Sequence, residues 1–186
     1  EIDELALLVN EMLDRPVVVH THTKSSTYTD KLLFTHGYKP IVVQRNIFDC
    51  IVSMADMALN FNEFPGFGMF HPPKGYNQMP QKDRLAILTQ LVGPWYVDFI
   101  VSWSRTRLKP VFLDYDADIL GFDEGTADKL RTGLNLDGIT TADMMDAFQL
   151  KTENHKSSAR LNKGVSGRGG DIPQHARDAI RRLADV

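Results

Sequence analysis

Apolar residues recur along this chain in short blocks whose spacing switches between helix and strand. Leu5, Leu8, Val9 and Met12 fall at helical spacing, so residues 2–14 are expected to form an amphipathic helix stopped by Pro16. Val17-Val18-Val19 is a β-branched run and predicts a buried strand ending near His20 to His22. A polar stretch, Thr23 to Thr29, leads into a helix around Asp30 to His36, with Gly37 where a C-terminal glycine cap belongs. Ile41-Val42-Val43 predicts a second buried strand, and from Asn46 to about Leu59 the pattern turns helical. Residues 61–80 break the rhythm with prolines among aromatics and glycines, the character of a lid or substrate wall. A long helix from Gln81 to about Arg105 is expected to be interrupted near Gly93-Pro94. Val111-Phe112-Leu113 predicts a third strand ending at Asp114-Tyr115-Asp116. Short helices over 124–134 and 140–149, a glycine-rich loop over 162–170 and a closing helix from Pro173 complete the chain.

This alternation predicts an α/β fold: a three-layer domain, residues 1–186, with a parallel sheet flanked by helices. At 186 residues, with 42% hydrophobic and 24% charged positions, the chain can bury one real core. A net charge of −3 argues against broad nucleic-acid binding, so a polyanion would have to be held by a local cluster. Cys50 is the only cysteine and reads as a small buried hydrophobe. That excludes an internal disulfide framework and fits a reducing, cytoplasmic setting. No apolar run approaches the roughly 18 residues of a membrane span, and no basic leader is visible. The chain opens on Glu1 in mid-helix pattern, so further residues are expected upstream.

In open α/β sheets ligands bind beyond the carboxyl ends of strands, which nominates His20-Thr21-His22, Gln44-Arg45-Asn46 and Asp114-Tyr115-Asp116. Arg45 directly follows an apolar strand, and Ser53 lies eight residues on, in line with Asp49 on one helix face. A guanidinium fork, a serine hydroxyl and a helix N-terminus together suit a phosphate. A structural Arg45–Asp49 pair at a capped helix is the plainer reading of the same residues. His20 and His22 stand at i and i+2, a spacing that raises a metal pair. No Cys or carboxylate accompanies them at ligand spacing, so no metal is expected. Tyr115 fits a ligand-facing strand end and a core tyrosine equally well.

The segment VVQRNIFDCIVSM resembles the stretch of cytosolic and bacterial sulfotransferases in which a strand precedes Arg-Asn/Asp-Pro-x-Asp-x-x-x-Ser. The resemblance implies that Arg45 and Ser53 hold the 3′-phosphate of the donor PAPS (3′-phosphoadenosine 5′-phosphosulfate). Ile47 stands where that family commonly has Pro. His20-Thr21-His22 is similar to the family's Lys-Thr-His, implying that His22 is the general base; His20 replaces the Lys, which keeps both histidines as candidates. VFLDYD resembles the strand ending in Tyr-Glu-Asp, so Tyr115 would lie against the adenine. Residues 160–167 resemble the Arg-Lys-Gly-x-x-Gly loop that closes over the 3′-phosphate. Lys163, Gly164 and Gly167 match it directly, Asn162 takes the usual Arg position, Gly169 the usual Trp, and Arg168 adds charge.

The resemblance covers about residues 16–58, 108–118 and 158–184. It implies a sheet related to nucleotide kinases and transfer of a sulfuryl group to a hydroxyl or amine of a small-molecule or glycan acceptor, with no metal. Phe64, Phe67, Phe70 and Tyr76 would wall the acceptor site, although a packed loop explains them equally. The family's Pro-Lys-Ser-Gly-Thr-Thr-type phosphosulfate loop does not precede residue 16 and is expected upstream; Lys24 to Thr27 is a partial lookalike without the glycine. Two other classes compete. One is a nucleotide-binding phosphotransferase relative, which would need the G-x-x-x-x-G-K-[ST] motif absent here. The other is a non-catalytic module that keeps only the 3′-phosphoadenosine site.

Overall fold

The computed structural model describes residues 18–60, 73–154 and 165–184. In chain order it contains α1 (Thr27–Thr35), β1 (Ile41–Gln44), α2 (Ile47–Asn60), a 3-10 turn (Tyr76–Gln78) and α3 (Gln81–Arg105). Then follow β2 (Val111–Asp114), a π-helical turn (Tyr115–Leu120), α4 (Glu124–Leu134), α5 (Thr141–Asn154), a second 3-10 turn (Arg168–Asp171) and α6 (Gln174–Ala184). The chain divides into two compact units, Glu1–Gln44 with Asp98–Leu150, and Arg45–Val97 with Lys151–Val186.

The first unit holds the sheet. β1 and β2 pair in parallel, Ile41 opposite Val111 and Gln44 opposite Asp114. On one face Val42 packs with Leu33 of α1 and Trp103 of α3, supported by Phe99, Leu108 and Phe112. On the other face α4 comes close to β2 because Gly133 has no side chain; a Cβ there would stand 2.4 Å from Val111 Cγ2. That cover does not extend to β1, whose Ile41 and Val43 are 41% and 45% exposed. The segment before α1 is stitched to the end of α3. Trp103 Nε1 donates to the Thr23 carbonyl at 2.8 Å, Ser25 N–H to Ser102 Oγ, and Lys24 pairs with Asp98.

The second unit is helical. Ile51, Val52 and Ala55 of α2, Leu85, Leu88 and Val92 of α3, Ile172 just before α6 and Ala176 within it form its core. Each helix presents its apolar residues at i, i+3 or i+4 spacing, so the stripes face one another. Gly93 lets α6 approach, since a Cβ there would stand 2.5 Å from Ile180 Cδ1.

Several expectations hold. The helices over 27–35, 47–60 and 124–134, the strands at 41–44 and 111–114 and the closing helix fall where the pattern places them. Gly37 is left-handed (φ 67°), as its position after α1 predicts. The three-layer parallel sheet does not hold. The described residues are mostly helical, 65% helix and 6% strand, and their sheet has two strands. Two four-residue strands bury too little to separate two helical layers. The expected strand at Val17-Val18-Val19 is not formed at residues 18–19. Val18 is 90% and Val19 37% exposed, and without a neighbouring strand a β-branched run gains nothing by extending. The expected break at Gly93-Pro94 is also absent, and α3 runs through it. Pro94 is exposed, so the Gln90 carbonyl that loses its amide partner lies on the water side of the helix. The helix expected over 2–14 lies outside the described residues.

Candidate functional site

The clearest concentration of polar chemistry lies at the start of α2, within the second unit. Asn46 caps the helix: its Oδ1 accepts from Phe48 N–H at 3.0 Å and Asp49 N–H at 3.3 Å, and its carbonyl from Cys50 N–H. With the cap supplied by Asn46, the carboxylate of Asp49 turns elsewhere. It is 4% exposed and accepts Gly167 N–H at 2.8 Å and Gly169 N–H at 2.6 Å. Arg45 donates from Nη2 to the Val165 carbonyl at 3.1 Å. Arg168 donates to Asp56 Oδ2 at 2.5 Å, with both side chains about three-quarters or more covered. The loop over 165–169 is thereby tied to α2 along its length.

Glycine is required at two places in that loop. Gly167 adopts φ 82°, and a Cβ on Gly169 would stand 2.4 Å from Phe48 Cβ. The tryptophan that the resemblance expects at 169 has no room in this packing. The plainer sequence reading, an Arg45–Asp49 pair, gives way to a different arrangement in which both residues hold the glycine loop. Ser53 lies one turn beyond Asp49, half-buried. Lys163 and Gly164, the other expected anion ligands, lie outside the described residues, as do Phe64, Phe67 and Phe70.

The remaining candidates are distributed as follows. In the first unit the His20 and His22 rings make an edge contact at 5.3 Å between centroids. Lost hydration, and then the charge of His20, lower the pKa of His22 below the ordinary 6.5. Among the described residues no cluster of three metal-ligating side chains exists. Lys24 to Thr27 is used locally: Ser26 caps α1 through Thr29 N–H at 3.1 Å, and Ser25 donates to Asp30 at 2.7 Å. Tyr115 is half-buried and opens the π-helical turn. Before it, Asp114 Oδ1 accepts Asp116 N–H and Ala117 N–H, both at 2.9 Å. Asp118 accepts Asp114 N–H at 2.7 Å and Lys129 Nζ at 2.8 Å. In the second unit Tyr76 is 4% exposed and donates to the Arg84 carbonyl at 3.3 Å, and burial raises its pKa. Cys50 is half-buried beside Tyr96, whose pKa is raised by burial and then by the thiol.

Asp49 as the anchor of the loop, and Asp56 as the partner of Arg168, are not singled out by sequence. The signal is nonetheless there: residues 49, 53 and 56 follow i, i+4, i+7 spacing and share one polar face of a helix whose other faces are apolar. Comparison with family models, with curated proteins and with solved structures returns no match.

Proposed function

We propose that the chain carries the 3′-phosphate half of a PAPS site and belongs to a sulfotransferase. One observation carries the reading. Arg45 and the glycine-rich loop, 120 residues apart in sequence, meet at the first turn of the helix that also bears Ser53. A guanidinium and a hydroxyl beside a helix N-terminus suit a phosphate dianion, and the Gly167 and Gly169 amides, held by Asp49, fix the loop next to them. The net charge of −3 makes such a cluster a local device rather than part of a basic surface.

In the reaction the S–O bond to the donor's 5′-phosphate breaks and a bond from sulfur to the acceptor oxygen or nitrogen forms. The donor leaves as 3′-phosphoadenosine 5′-phosphate, and the acceptor proton passes to a histidine. A lowered pKa keeps His22 neutral at physiological pH, the state a base needs. Such transfers depend on positioning and charge stabilisation more than on covalent catalysis. Within the second unit Arg45 and Ser53 hold the 3′-phosphate with Lys163 and Gly164, while Gly167, its amide taken by Asp49, supplies the turn; Tyr115 is the candidate for the base, and the acceptor is a small molecule or glycan.

Calorimetric titration tests this. The protein binds 3′-phosphoadenosine 5′-phosphate more tightly than 5′-AMP, and Arg45→Ala removes most of that preference. The loss is roughly 10- to 100-fold, the worth of a charge-assisted contact. Equal affinity for the two nucleotides in the wild type ends the proposal. His22→Ala removes turnover with PAPS and leaves nucleotide affinity nearly intact; if His20→Ala does so instead, His20 is the base. Nucleotide binding without turnover under any acceptor assigns the chain to a binding module.

A further inference from the structure

We propose that Arg168 and Asp56 are positioning residues: their ion pair latches loop 165–169 onto α2 and removes a negative charge from the face that carries Ser53. The inference rests on the phosphate reading of that face. Three other attachments of the loop run through its backbone, Val165 carbonyl to Arg45 and the Gly167 and Gly169 amides to Asp49. Those contacts are indifferent to the loop's side chains. Arg168, between the two glycines, adds a contact that depends on side-chain identity. The side chains of Arg168 and Asp56 are 19% and 26% exposed, so water screens the pair less than it would a surface bridge.

Two consequences follow from helix geometry. Asp56 is three residues beyond Ser53, one turn along the same face. Paired with Arg168, it presents little net charge to an anion beside Ser53. Without Arg168, the Asp56 carboxylate loses a cation from its side close to where a phosphate dianion would sit, and the loop loses its side-chain anchor at the same time. Gly169 lays its bare backbone against Phe48, and the ion pair beside it adds the side-chain anchor to the loop's backbone attachments.

Calorimetry on the whole chain separates these effects. Arg168→Ala weakens 3′-phosphoadenosine 5′-phosphate by roughly tenfold, the scale of one charge-assisted contact, and leaves 5′-AMP unchanged. Arg168→Lys keeps most of the affinity. Arg168→Ala combined with Asp56→Asn regains part of it, because the exposed charge is gone. Wild-type affinity in Arg168→Ala, or an equal loss for both nucleotides, overturns the latch. If the wild type itself does not distinguish the two nucleotides, the phosphate reading fails, and amide exchange still judges the latch. Arg168→Ala then speeds exchange at Gly167 and Gly169 while the α2 core amides stay protected; unchanged exchange at both glycines overturns it.

Discussion

The segments that follow β1 and β2 both place carboxylates in their first turn, and they use them in opposite ways. After β2, Asp114 takes up the amides of Asp116 and Ala117, and Asp118 takes up Asp114 N–H, Thr126 and Lys129. The farthest of these partners is 11 residues away. After β1, Asn46 does the capping, and Asp49 reaches amides 118 and 120 residues distant. A carboxylate consumed by its own turn stabilises that turn alone. One relieved of capping can recruit a second segment, and here it brings a glycine loop to a helix N-terminus beside an arginine. That difference is why the anion site we propose lies at the first of these segments and not at the more acidic second.

Removing the long-range carboxylate breaks the contrast most directly. Asp49→Ala strands two loop amides, one on buried Gly169, and deletes bonds to an ionised acceptor. Chemical denaturation should show a loss of about 3 kcal/mol, at about 1.5–3 kcal/mol per charge-assisted bond. A loss under about 1 kcal/mol, no more than an ordinary substitution, would mean that the loop does not depend on it. Gly169→Ala attacks the same junction from the other side. Its Cβ would stand 2.4 Å from Phe48 Cβ and 3.3 Å from the Phe48 carbonyl carbon. Phe48 is itself covered by Arg181, 5.7 Å above its ring, so it has little room to retreat. Overpacking of this kind costs about 2 kcal/mol; an unchanged melting midpoint would refute the tight junction.

What can be read from the sequence follows the same division between near and far. α2 is legible because Ile51, Val52, Ala55 and Ala58 repeat at helical spacing after a capping residue, and α4 because Asp123 announces its start. Both signals are local. The sheet is not legible in the same way, because strand identity depends on a partner. Val42 finds one and is 2% exposed, while Val18, in a run of the same composition, is 90% exposed. Pro94 has the local signature of a break, yet tertiary packing of Leu88, Val92 and Val97 on either side carries α3 through it. The role of Asp49 depends on Asn46 taking the cap and on a loop over a hundred residues later. Spacing alone favours a pair with Arg45.

The acidic turn after β2 supplies the milder test. Its bond to Lys129, and then Asp114 N–H, lower the pKa of Asp118 below 3.8. A depressed carboxylate pKa stabilises the fold above the unfolded value and loses that contribution as pH falls through the folded one. The stability gap between wild type and Asp118→Asn should therefore be flat from neutrality to about pH 5 and close below pH 3.8. Because water reaches this pair, the gap is about 0.5 kcal/mol. A gap that widens on acidification would reverse the sign and refute the local carboxylate's role.

The strand end expected at His20 to His22 extends the contrast to a site whose electrostatics come from burial and a like charge instead of a carboxylate. Proton titration by NMR should place the His22 midpoint below 6.5. His20→Ala should raise it only part of the way, since lost hydration is the larger cause and remains. A full return to 6.5 would make the neighbouring imidazole, and not burial, the main cause of the shift. Folding linkage has the matching sign: the folded state binds fewer protons here, so this site's contribution is complete above pH 6.5 and declines as pH falls through the lowered value. The effect on stability is expected to be the smallest of the series, yet it bears most on the proposed chemistry, because a histidine with a lowered pKa is suited to accept the proton that sulfuryl transfer would release.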